Sequence, residues 1–131
     1  MTSAMTGVRI AARFVARIIV VSLVCAVATT LFGWMSVPIV GFVYGVPDRH
    51  APARGTVAAL GGALGWLGIL CTEALRGVDI RLVAERVGDV MQLPAFAFVL
   101  ITLAFAALLS GMSAVLGREI GLLIPGRARR V

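Results

Sequence analysis

Three long stretches of the chain contain no charged residue: residues 18–47, 55–72 and 90–117. They are 30, 18 and 28 residues long, and about 18 consecutive apolar residues suffice for a helix to cross a bilayer. Only 14% of the 131 residues are charged, whereas a soluble domain carries about 25%. The sequence therefore predicts an all-α integral membrane protein, and it excludes a soluble enzyme, a disulfide scaffold and a nucleic-acid-binding domain.

The first of these stretches is too long for one crossing. Its 30 residues would rise about 45 Å as a helix, whereas the hydrocarbon core is about 30 Å thick. Gly33, Ser36 and Pro38 interrupt it, and a serine shortly before a proline favours the start of a new helix. We therefore expect one helix over residues 10–32 and a short one over 36–46, which either crosses the membrane or re-enters it.

The rest of the chain predicts two further apolar helices, over residues 56–75 and 94–117, within a single transmembrane domain. Between them, residues 79–92 place apolar side chains at helical spacing, with charged residues at the other positions. This pattern predicts an amphipathic helix that lies along the membrane surface. Residues 125–131 are expected to form a mobile tail.

All 12 basic residues are arginine, and their distribution distinguishes two topologies. Three crossings would place six arginines on each side of the membrane, which gives no orientation signal. Four crossings leave only Arg76, Arg81 and Arg86 on one side and place the other nine together. Because cytoplasmic loops are enriched in arginine, we expect four crossings in a bacterial inner membrane with both termini cytoplasmic, with three crossings as the alternative.

Arginines that flank membrane spans attract the headgroups of anionic lipids. Two terminal clusters have this position and predict contacts with membrane lipids: Arg9, Arg13 and Arg17 near the start, and Arg127, Arg129 and Arg130 near the end.

Small residues recur at helical spacing in three of the predicted helices. Lipid provides no hydrophobic drive for helices to associate, so close approach over small residues takes that role. In the last helix, over residues 94–117, Ala107 and Gly111 form a second, shorter stripe beside the main one. We therefore predict a compact bundle that also packs against other integral membrane subunits. The predicted packing residues are Gly61, Gly65 and Gly68 in one helix, Ser22, Ala26 and Thr30 in another, and Ala106, Ser110 and Ala114 in the last.

Few residues in the apolar stretches can carry chemistry. Glu73 lies near the end of its predicted helix, one turn before Arg76. A local ion pair between the two residues is the simpler interpretation, and a functional proton or ion site at Glu73 is the alternative. The only histidine, His50, lies in a predicted loop rather than at membrane depth, where a haem would need its axial ligand. No catalytic residue, metal site or cofactor of its own is therefore expected, and no soluble substrate is evident.

These features together predict a non-enzymatic accessory subunit of a larger integral membrane complex, with energy-transducing complexes as one class of host. Its apolar helix faces are expected to contact lipids, or quinones or pigments held by partner subunits. The alternative function is a homo-oligomeric small transporter or channel with Glu73 as its coupling site.

Overall fold

The structure is a computed structural model that describes residues 2–47 and 53–123, with side chains from residue 7 onward. Over these residues the chain forms helices joined by short turns, without a strand, which confirms the predicted all-α class. The five helices are α1 (Thr2–Phe32), α2 (Ser36–Gly45), α3 (Arg54–Leu75), α4 (Ile80–Met91) and α5 (Ala95–Leu123).

Three of the described helices are long and apolar enough to cross a membrane, by their length and composition: Gly7–Phe32 within α1, then α3 and α5. This finding agrees with a multi-pass membrane protein. The apolar helix α2 has only 10 residues.

The long helices extend past the ends predicted from hydropathy. Helix α1 begins at Thr2 rather than near residue 10, and α5 continues to Leu123 rather than ending near residue 117. Hydropathy marks where a segment leaves the hydrocarbon, but a helix with satisfied backbone hydrogen bonds continues into the polar region. The predicted tail, residues 125–131, lies outside the described residues.

A tight turn reverses the chain between α1 and α2. Gly33 has a φ of 75°, a left-handed conformation that glycine adopts without strain and that commonly ends helices. The Ser36 hydroxyl donates to the Gly33 carbonyl at 2.8 Å and lies 3.2 Å from the Thr29 hydroxyl. Pro38 falls in the first turn of α2, where its missing N–H breaks no helical hydrogen bond. Helix α2 therefore folds back along α1.

Helix α4 is short and amphipathic, as its sequence pattern predicts. The Asp79 carboxylate accepts a hydrogen bond from the Leu82 amide at 3.0 Å and so caps the first turn, and Gln92 ends the helix with a φ of 56°. Ala84 and Gly88 are buried on the side that packs against α5. The apolar Val90 side chain is 85% exposed, so part of the apolar face of α4 is not covered by the other described helices.

Helices α1 and α3 run parallel. Gly61 lies opposite Val21, and Gly65, one turn later, lies opposite Cys25. Because the residue numbers on both helices increase together, α3 begins at the end of the bundle where the basic part of α1 lies.

Helices α2 and α5 are also parallel, and their backbones are in direct contact. Gly41 faces the carbonyl of Ser110, and Gly45 faces the carbonyl of Ala114. A Cβ atom on either glycine would overlap that carbonyl oxygen. The absence of side chains at these two positions therefore sets the distance between α2 and α5.

We predict that Gly45→Ala lowers the free energy of unfolding by about 1–3 kcal/mol, as overpacking of a filled core does. The added methyl group would collide with the backbone of Ala114, so the two helices would have to separate. Gly68→Ala is the matched control, because nothing lies within 4 Å of a Cβ there, and it should be neutral or stabilising by up to about 1 kcal/mol. The free energies of unfolding of both variants are measured by adding SDS to protein purified in a mild detergent. Equal effects of the two substitutions would contradict the prediction.

Candidate functional site

The predicted glycine residues of α3 do not all lie in one contact. Gly61 and Gly65 face α1, where added Cβ atoms would lie 2.6 Å from a Val21 side-chain atom and 3.0 Å from the Cys25 Cβ. Gly68 is exposed, with open space around its Cβ position. The stripe thus packs inside the bundle over its first two glycines and leaves the third on the surface.

The predicted small-residue stripe on α1 lies beside the contact face rather than at its centre. Ser22 and Ala26 are half-buried, and Thr30 is exposed, with its hydroxyl bonded to the carbonyl of Val27 at 2.8 Å. The residues that α1 buries most are Val21 and Cys25. They pack against the glycines of α3, so larger α1 side chains fill space that the small α3 residues leave.

The predicted stripe on α5 is buried along its whole length. Ala106, Ser110 and Ala114 are 2%, 0% and 0% exposed. An added Cβ on Gly62 of α3 would lie 2.8 Å from the Cβ of Ser110. Since Gly41 of α2 also faces Ser110, this serine lies between α2 and α3 at the centre of the bundle.

The sequence analysis missed the small residues through which α2 and α5 make contact. Besides Gly41 and Gly45 on α2, Gly117 faces the carbonyl of Phe42, and a Cβ on Gly121 would lie 2.7 Å from the carbonyl of Val46. The four-residue spacing between Gly41 and Gly45, and again between Gly117 and Gly121, could have indicated this contact.

Arg54 closes the end of α2. It is the first residue of α3 and only 8% exposed, and its Nη1 donates to the carbonyls of Tyr44 at 2.9 Å and Gly45 at 3.1 Å. Its guanidinium carbon also lies 5.5 Å from the centroid of the Tyr44 ring, within range of a cation–π interaction. A positive charge at the carboxyl end of a helix is favoured by the helix dipole, so Arg54 joins the last turn of α2 to the first turn of α3.

No local signal in the sequence could have identified Arg54. Its hydrogen-bond partners lie nine and ten residues earlier in the chain. Only the return of the chain at the end of α2 brings the guanidinium to these carbonyls.

Glu73 lies at the far end of α3. Its carboxylate pairs with the Arg76 guanidinium at 2.9 Å, and the two side chains are 38% and 72% exposed, respectively. This is the local ion pair between residues i and i+3. Exposed pairs of this kind contribute about 0–1 kcal/mol, and the geometry gives no particular support to a coupling site at Glu73.

The structure describes three of the six arginines that are predicted to contact lipid headgroups. Arg9, Arg13 and Arg17 are exposed along α1. The other three, Arg127, Arg129 and Arg130, lie outside the described residues, as does His50. In the part of the chain that the structure describes, no group of three His, Cys, Asp or Glu residues could hold a metal ion.

A groove of about 550 Å³ runs between α3 and α5; we call it the α3–α5 groove. Almost all of its lining surface is apolar. Its floor is made of small residues, and its rim of larger exposed ones on α5. The floor residues are Gly55, Ala59, Ala107 and Gly111, and the rim residues include Leu108, Met112, Val115 and Leu116.

A second groove, of about 280 Å³, lies between α1 and α2; we call it the α1–α2 groove. It exposes no polar surface, and its open edges are formed by exposed valine and isoleucine side chains. Its lining residues are Val20, Val21 and Val24 on α1 and Ile39, Val40, Val43 and Tyr44 on α2.

Comparison with known proteins finds no matching family model, no matching curated protein and no matching solved structure.

We predict that Arg54→Met destabilises the protein by about 1.5–3 kcal/mol, the contribution of hydrogen bonds from a charged group. The carbonyls of Tyr44 and Gly45 would remain shielded from water without their donor. Amide hydrogen exchange should accelerate in α2 more than in α3, because the contact holds the end of α2. Arg118→Gln is the control, since Arg118 is an exposed arginine on α5. If the two variants behave alike, Arg54 acts only through net charge.

Proposed function

We propose that this protein is a non-enzymatic accessory subunit of a larger integral membrane complex, and that it binds a transmembrane helix of a partner subunit in the α3–α5 groove. Energy-transducing complexes are one class of host for such a subunit. The single observation that carries the proposal is the α3–α5 groove itself, which is open, apolar and about 550 Å³ in volume, with a floor of glycine and alanine.

The floor of the groove has the composition of a helix contact. Transmembrane helices associate where small residues let their backbones approach closely. Ala59, Ala107 and Gly111 present such a surface to the outside of the bundle, and all three are half-buried rather than buried. The two helices that form the floor already pack against each other, since a Cβ on Gly111 would lie 3.1 Å from the Cβ of Ala59. The floor is therefore a fixed surface on which a third helix can lie.

The rim of the groove supplies the side chains that such a helix would pack between. Met112 is 65% exposed and Leu108 is 61% exposed. Methionine adapts its shape to varied apolar partners, and a row of larger side chains on α5 beside a small-residue floor can pack into the surface grooves of an incoming helix.

We further propose that the chain crosses a bacterial inner membrane four times, with both termini in the cytoplasm. The parallel arrangement of α1 and α3 supports this, because the chain must return through α2 before α3 begins. Ten helical residues rise only about 15 Å, half the thickness of the hydrocarbon core, so the residues that flank α2 must complete the proposed crossing, and the neighbouring helices shield their backbone from lipid. The arginine distribution favours the cytoplasm for the end that carries Arg9, Arg13 and Arg17.

Filling the α3–α5 groove should release the partner. Ala107→Leu places a larger side chain on its floor, and we expect recovery of the co-purifying membrane subunit to fall about tenfold, the equivalent of about 1.4 kcal/mol. Ala16→Leu makes the same change at an exposed alanine of α1 and should leave recovery unchanged. Gentle solubilisation of the tagged chain at native expression, with quantification of the co-purifying proteins, measures both.

Photo-crosslinking from two positions tests which face of the bundle contacts the partner. A photo-crosslinking residue at Met112 should capture the partner, whereas one at Leu23, 60% exposed on α1, should not. Purification of the chain as a monodisperse monomer without other proteins would contradict the proposal, as would equal capture from both positions.

Single-cysteine labelling tests the four-crossing topology. In a background with Cys25→Ala and Cys71→Ala, we expect Ser3→Cys and Arg130→Cys to react only with reagent on the cytoplasmic side. Val78→Cys, between α3 and α4, should react only from the opposite side. Labelling of Ser3→Cys and Arg130→Cys from opposite sides would show an odd number of crossings and overturn the topology.

A further inference from the structure

The α1–α2 groove is independent of the proposed partner surface, and it is open to the membrane along its length. It exposes no polar surface. Val20, Val24, Ile39 and Val43, on its edges, are 49–61% exposed. A groove of this kind matches an acyl chain, which is apolar along its length and needs no hydrogen bonds.

On α1, two arginines precede the residues that line the groove. Arg17 lies three and four residues before Val20 and Val21, and Arg13 lies one turn before Arg17, so all four side chains share one face of the helix. Both arginines are exposed. Because side chains on a helix point toward its N-terminus, the guanidinium groups extend away from the hydrocarbon toward the headgroup region.

Among the described residues of α1 and of the first turn of α3, the charged groups near this end of the groove are positive. Helix α1 contains no acidic residue, and the Arg54 guanidinium lies beside Tyr44, which lines the groove. Of the five described acidic residues, Glu73 lies in the last turn of α3, and Asp79, Glu85 and Asp89 lie in the segment that follows it. The fifth, Glu119, belongs to α5, which contributes no residue to this groove.

We infer that the α1–α2 groove binds one acyl chain of an anionic phospholipid, and that Arg13 and Arg17 bind the phosphate of its headgroup. A wholly apolar partner helix would fill the groove but would bring no anion to the two arginines. A phospholipid satisfies both parts, because its phosphate lies at the membrane surface directly above its acyl chains.

Native mass spectrometry of the full chain tests this inference. The protein, purified in mild detergent, is mixed with equal amounts of phosphatidylglycerol and phosphatidylcholine, and the ratio of the two single-lipid adducts is measured. The wild type should retain phosphatidylglycerol preferentially. The Arg13→Gln and Arg17→Gln variants should each lower this ratio about fivefold, since an arginine near the surface contributes about that factor.

Two further variants separate the headgroup site from the groove. Arg118→Gln removes an exposed arginine of α5 that lies outside the groove and should leave the ratio unchanged. Val43→Trp fills the groove from an exposed position and should reduce retention of both lipids. Circular dichroism checks that each variant keeps the wild-type helix content.

Any of three results with these proteins would overturn the inference: equal retention of the two lipids by the wild type, an effect of Arg118→Gln as large as that of Arg17→Gln, or unchanged retention in Val43→Trp. A fourth comes from competition with free phosphate. Displacement of the lipid by excess inorganic phosphate would show a site for the phosphate group alone and would also overturn it.

Discussion

The backbone contact between α2 and α5 is the constraint on which the arrangement of the other helices depends. Glycines on both helices face carbonyl groups of the opposite helix, so the two backbones meet without intervening side chains. This contact keeps a helix of only 10 residues inside a bundle of much longer ones. Because α2 lies there, the chain returns to its starting end, and α3 can pack parallel to α1 and antiparallel to α5.

A short helix inside a membrane bundle has a second requirement, which Arg54 meets. The last carbonyl groups of any helix lack partners within the helix, and in a bilayer each unsatisfied group costs several kcal/mol. Arg54 donates to the carbonyls of Tyr44 and Gly45, and its own charge is stabilised by those carbonyls and by the Tyr44 ring. An arginine here therefore belongs to the interior of the fold, whereas Arg9, Arg13 and Arg17 are exposed.

The difference between these arginines shows how much the sequence could predict. The three apolar stretches and the glycine–serine–proline interruption near residue 36 suffice to predict four of the helices, and the amphipathic pattern of residues 79–92 predicts the fifth. Hydropathy, helical periodicity and helix-breaking residues are all local properties of the sequence. The role of Arg54 depends on a contact across a chain reversal, which no local pattern encodes. The α5 stripe is buried as a unit, but the α1 stripe is not. Small residues indicate that helices can approach, whereas the contacting face depends on which larger side chains, here Val21 and Cys25, fill the space.

Close packing inside the bundle also explains why its outside is grooved. Where Gly55, Ala59, Ala107 and Gly111 bring α3 and α5 together, no large side chain fills the surface between the helices. The α1–α2 groove has edges of valine and isoleucine instead, and two arginines precede its lining residues on α1. The two surfaces differ in the chemistry that they favour: a smooth floor of small residues suits the backbone of another helix, and a narrow apolar groove below two cations suits a lipid with an anionic headgroup. The two proposals therefore assign a protein partner to one side of the bundle and a lipid to another, each on the chemistry of its groove.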